Sequence, residues 1–125
     1  MFTIEPDNTI HITRGDIGAL EVSAMKSETE SYIFQPGDVV RLRVFVKKRH
    51  DLVVLMKDIH VDEETEIVSI PLLKRDTTIG EIINKPAAYW YEVELNPDTI
   101  PQTIIGYDTN GPKIFKLYPE GGDLV

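Results

Sequence analysis

The chain has 125 residues, enough for one domain that buries roughly two thirds of its unfolded surface without staples. Hydrophobic residues make up 42% and cysteine is absent, which excludes disordered composition, disulfides and thiolate metal sites. Thirteen basic against 21 acidic residues leave a net charge of -8, which argues against general nucleic-acid binding because that needs a basic face.

No stretch approaches the roughly 20 apolar residues of a membrane helix. The opening MFTIEPDNT lacks the basic and apolar regions of a secretory leader, so none is expected.

In chain order, strand signals dominate. Residues 9–13 (TIHIT) alternate, with Ile10 and Ile12 on one face. Arg14-Gly15-Asp16 punctuates, and residues 19–25 (ALEVSAM) alternate weakly. Gln35-Pro36-Gly37-Asp38 is a turn, since Pro presets φ and Gly supplies a positive φ. It opens the clearest strand, residues 40–47 (VRLRVFVK). Here Val40, Leu42, Val44 and Val46 share one face and Arg41, Arg43, Phe45 and Lys47 the other. Lys47-Lys48-Arg49-His50 reads as a solvated tip, or as a docking contact for an acidic neighbour.

The short stretch at residues 52–57 (LVVLMK), apolar without a break from Leu52 to Met56, suggests a strand buried on both faces. Residues 66–72 (EIVSIPL) alternate again, and Pro71 places them at a sheet edge. At most one short helical turn is expected near 75–84, with Asp76 as its N-cap. Residues 89–95 (YWYEVEL) form a strong strand. Tyr89, Tyr91, Val93 and Leu95 face inward, so Tyr89 or Tyr91 fits a tyrosine corner; Trp90, Glu92 and Glu94 face outward. Trp90 is then either an exposed anchor or covered by residues 96–102. Residues 103–107 and 113–118, joined across Asn110-Gly111, predict a tight hairpin with two positive φ values.

About seven or eight short antiparallel strands, spaced roughly 8–12 residues apart, predict an all-β sandwich. It fills residues 1–125 as one domain, with its core over about 9–118.

The constellations that carry chemistry are few. His11 and His50 sit in no catalytic motif, and no paired carboxylates or phosphate-binding glycine loop are evident. No enzymatic activity and no cofactor are expected. Asp58, His60 and Asp62 share a strand face at i, i+2 and i+4, the one arrangement that could converge on a metal ion. Against it, Asp62-Glu63-Glu64 reads as a solvated acidic loop and no fourth ligand is evident, so the expectation is no metal. Outward Arg41, Arg43, Phe45 and Trp90 form the expected interaction surface, because aromatics and arginines concentrate at interfaces. An alternative is a carbohydrate-binding sandwich. In that reading Trp90 with Tyr107 or Tyr118 stacks on sugar rings, and Asp58 and Asp62 hold calcium.

Several of these features recur in a familiar order. Thr13-Arg14-Gly15-Asp16 is followed by Phe34-Gln35-Pro36-Gly37-Asp38 and the alternating strand. Asp76-Thr77, residues 89–95 and the stretch from Gln102 to Tyr107 then follow. Together they resemble the immunoglobulin-like module at the N-terminus of phage baseplate upper proteins, and related small tail proteins of phages and prophages of Gram-positive bacteria. The likeness spans roughly residues 9–118. It implies an immunoglobulin-like sandwich in a virion or tail-like particle, assembled in the cytoplasm of a bacterial host. It also implies contacts with other tail or baseplate proteins, a homo-oligomer, and neither nucleic-acid nor membrane binding. No catalytic residue carries over. In that family the module continues into a long shaft; this sequence ends at Val125, so the expectation is a stand-alone adaptor or decoration protein.

Overall fold

The computed structural model describes residues 2–47, 49–79 and 85–120, with backbone alone at 49–51. The described residues form β1 (Phe2–Ile4), β2 (Ile10–Thr13), β3 (Gly18–Val22), β4 (Val39–Val46), β5 (Arg49–His60), β6 (Val68–Leu72), α1 (Lys74–Thr77), β7 (Ala87–Leu95), β8 (Gln102–Ile105) and β9 (Lys113–Tyr118). The fold is all-β.

Seven strands make one sheet in the order β1-β2-β9-β7-β4-β5, with β8 also on β7; β3 and β6 pair as a second sheet. The pairing is not wholly antiparallel as expected, because β2 runs parallel to β9. Parallel neighbours must be distant in sequence, and here they join the two ends of the chain. The inner face of the large sheet contributes Val40, Leu42, Val44, Tyr91, Val93, Leu95, Phe115 and Leu117. The small sheet contributes Leu20, Val22, Val68, Ile70 and Leu72, and all of these residues form one core. Each such side chain, fully buried, favours folding by about 1.5–3 kcal/mol.

Two turns hold the ends of the strands. Gly37 takes φ +94°, and Asp38 N donates to Gln35 O at 3.0 Å. The Asp38 carboxylate then accepts from Gln35 N, Tyr32 Oη and Asn96 Nδ2, tying the start of β4 to the end of β7. Burial pushes the Asp38 carboxyl up, but these donors outweigh it and hold it below the ordinary range; the bond to Asp38 pushes the Tyr32 phenol up to about 12. The Arg14-Gly15-Asp16 tripeptide is turn chemistry. Gly15 has φ +88° and its N–H donates to Thr77 Oγ1, which donates in turn to Asp16 O at 2.7 Å. Arg14 is buried, so this tripeptide is not displayed as an exposed recognition loop.

Local expectations fail at three places. Asp76 is not the N-cap of α1. It is the third residue of the turn, its carboxylate accepting the Leu73 N–H at 2.8 Å. The continuation expected beyond Gly80 lies outside the described residues. Strands β8 and β9 do not pair as a hairpin; both run antiparallel to β7, along different halves of it, as one strand interrupted by residues 106–112. Only Gly111 of the Asn110-Gly111 pair has a positive φ, in a turn closed by Gly111 N to Asp108 O. Finally, the run at 52–57 is not buried on both faces, because β5 is the edge of the large sheet.

Candidate interaction surface

The outer face of the large sheet carries the residues expected to meet a partner. Cα register places Arg41 opposite Glu94 and Asp58, Arg43 opposite Glu92 and Met56, and Phe45 opposite Trp90 and Val53. Each arginine of β4 therefore stands beside acidic residues of its neighbours, which decides where its charge goes.

Arg41 forms two forks. Nε and Nη2 donate to the Asp58 oxygens at 2.7 and 3.0 Å, while Nη1 and Nη2 donate to Asp98 at 3.2 and 3.0 Å. Bidentate pairing is the strong form of a charge-assisted hydrogen bond. It raises the Arg41 guanidinium further and holds the Asp58 carboxyl below the ordinary range. Arg43 Nη2 sits 2.8 Å from Glu92 Oε1 and also contacts Glu94. Both arginines point outward as expected, yet they are engaged within the chain and are not free cations for a partner.

Phe45 corrects the expectation more sharply. It lies on the outer face, outside the central core, but is only 3% exposed. Opposite Phe45 the register with β5 shifts, leaving Val54 of β5 as an extra, bulged residue. Phe45 meets the Trp90 ring edge-on at 6.4 Å, and Tyr107 also meets Trp90 edge-on at 6.4 Å. Trp90 is thus half-buried in a second, outer aromatic cluster. Its cover is Tyr107 from the 106–112 excursion, not the 96–102 loop. The interruption of the β8–β9 line is what delivers Tyr107, itself 72% exposed.

Asp58, His60 and Asp62 are not brought together as ligands. Asp58 belongs to Arg41, and Asp62 lies beyond the end of β5. Among the described residues no group of three His, Asp or Glu side chains is placed to hold a metal ion. Asp62, Glu63 and Glu64 instead rim a shallow cleft of about 440 Å³ floored by Ile59, Val61 and Val68.

Residue-type reasoning missed two features. Sheet neighbours bring His11 Nδ1 within 2.7 Å of Tyr118 Oη, across the parallel β2–β9 pair, with Glu5 at 3.1 Å from Nε2. Nothing local to His11 signals a partner at the far end of the chain. The second is the exposed apolar edge: Leu52, Val53 and Met56 are 43%, 41% and 55% exposed. The apolar run was visible in the sequence, but its place at the margin of the sheet was not.

Comparison with protein-family models, characterised proteins and solved structures finds no match to this chain.

Proposed function

We propose that this chain is a non-enzymatic assembly module of a phage or prophage-derived tail, built as an immunoglobulin-like sandwich. Strand order supports the sandwich type. In variable-type immunoglobulin domains one sheet runs through G, F, C and C′ while B and E lie in the other. Here β9, β7, β4 and β5 occupy the first set of places and β3 and β6 the second. One detail departs from that plan. The Tyr91 hydroxyl donates to Asn8 O, a residue in the N-terminal segment, instead of to backbone a few residues upstream.

The assembly role rests on one observation: the twelve-residue edge strand β5, open on its outer side among the described residues and carrying exposed Leu52, Val53 and Met56. An exposed apolar edge is a template for pairing with another chain. The sandwich does not itself specify a function; the tail setting comes from the ordered motifs between Thr13 and Tyr107.

Antibodies against the chain should label tails in particles banded from induced cultures of the source bacterium. Recovery of the chain only outside particles would overturn the tail assignment. The carbohydrate alternative has less support, because Trp90 is closed in by Phe45 and Tyr107 and Asp58 is paired with Arg41.

A further inference from the structure

We propose that the β5 edge pairs with a second copy of the same chain, antiparallel about a two-fold axis near Met56, so that one sheet runs through both protomers. The proposal rests on the assembly reading above and gives it a surface and an occupant.

The edge itself is the first reason. At twelve residues β5 is about 40 Å long, roughly twice an ordinary strand. Native edges are usually blunted by proline, by an outward lysine, or by being short. The opposite edge of the same sheet follows that rule, since β1 has three residues. β5 follows it only in its first half, where register shifts opposite Phe45 and Val46 bulge the strand; from Leu55 onward the edge is not blunted. It has no proline, and the ammonium of Lys57 is turned onto Asp76 Oδ2 at 2.6 Å and onto Pro71 O. From Leu55 to His60 its register with β4 is regular, so the backbone is set for a further strand.

Charge along the strand selects the occupant. Lys47, which is exposed, brings positive charge to the end where β5 begins. Asp62, Glu63 and Glu64, all exposed, follow the end where it stops. A strand polarised in this way complements itself when reversed. An antiparallel copy sets each basic end beside the partner's acidic end, whereas a parallel copy sets like beside like. Such a two-fold contact is isologous and closes at two chains. Met56 is the midpoint between Lys47 and Thr65, which closes the acidic run. With the axis there, Lys57 faces Leu55 of the partner subunit and Asp58 faces Val54 of the partner subunit. No like charges then stand directly opposite.

Sedimentation and light scattering on the full chain test this. At low salt the chain should weigh twice its sequence mass, and added salt should weaken the dimer because the matched ends are exposed. Met56→Lys and Met56→Glu each place like charges across the axis, and each should weaken the dimer by about tenfold or more. Mixed in equal amounts, the two variants should recover a heterodimer. Met56 is exposed, so both should keep the circular dichroism and melting temperature of the parent monomer. A wild-type chain that stays monomeric at low salt would overturn the pairing. So would a dimer that neither variant weakens, or one that mixing fails to restore. Any of those results leaves the particle-labelling experiment to decide the tail assignment separately.

Discussion

The two faces of β4 and β7 follow the same alternation and reach opposite ends. Inward, Val40, Leu42, Val44, Tyr91, Val93 and Leu95 join residues from the whole chain in one core. Outward, Arg41, Arg43, Phe45, Trp90, Glu92 and Glu94 look like free surface until cross-strand neighbours are considered. They then resolve into two closed groups, an ion-pair band and an aromatic cluster. Outward-facing and available are therefore different properties. In this sheet the unsatisfied capacity lies at the edge, along β5, which no strand among the described residues pairs on its outer side.

The largest test of that comparison is Phe45. If the outer cluster is packed like the core, Phe45→Ala should cost about 3 kcal/mol, close to Leu42→Ala on the inner face. Urea unfolding of the two variants measures both. A cost near that of an ordinary surface change, below about 0.5 kcal/mol, would show that the outer aromatics are merely adjacent.

Next in size is the buried link between the sheets. Burial pushes the Asp76 carboxyl up, but Lys57 and the Leu73 N–H outweigh it and hold it below the ordinary aspartate range. A carboxylate depressed on folding contributes stability that is present above its unfolded pKa, near 4, and is lost as pH falls through the folded value. Asp76→Asn should therefore cost about 2 kcal/mol at neutral pH and almost nothing in strong acid. Chemical denaturation as a function of pH tests this. A cost unchanged between pH 7 and pH 2 would mean that the Lys57 pair does not matter.

How much of this was legible in the sequence follows from what periodicity measures. Alternation reports which face a residue takes, and for β4 and β7 it placed Val40, Leu42, Val44, Tyr91, Val93 and Leu95 correctly, whereas Val46, past the register shift, does not join that core. The turns at Gly15 and Gly37 were legible because a positive φ is a local demand that glycine meets. Neighbour identity is not local. The apolar run in β5 looked doubly buried because composition does not report whether a strand is central or marginal. Residues 103–118 looked like a hairpin because a turn signal was present, although the turn sits inside an interrupted strand on β7. Arg41 and Arg43 looked free because their acidic partners lie on other strands or in the loop after β7. The candidate surface was thus found on the correct face but credited with the wrong availability, and the edge was missed.

Tyr91 sharpens the inner side. Its phenol is raised by burial, with Asp7 adding to the effect, and its hydroxyl donates to Asn8 O. Tyr91→Phe keeps the ring and removes the bond, so it should cost about 1 kcal/mol.

Arg41 gives the smallest effect and the most discriminating one. Its Asp98 partner is 75% exposed, so that half of the double fork is screened by water; the Asp58 half is better sheltered. Arg41→Gln should accordingly cost about 0.5–1 kcal/mol, and the cost should shrink as salt rises. The costs of Phe45→Ala and Tyr91→Phe arise from packing and from a neutral hydrogen bond, so they should stay nearly constant with salt. Unfolding all three variants at low and high salt divides the outer face into its two groups. If Arg41→Gln proved as salt-insensitive as Phe45→Ala, the ion-pair band would be acting through the packed stem of the arginine. The two outer groups would then be one continuous layer, as closed to a partner as the core, with the long β5 edge still open among the described residues.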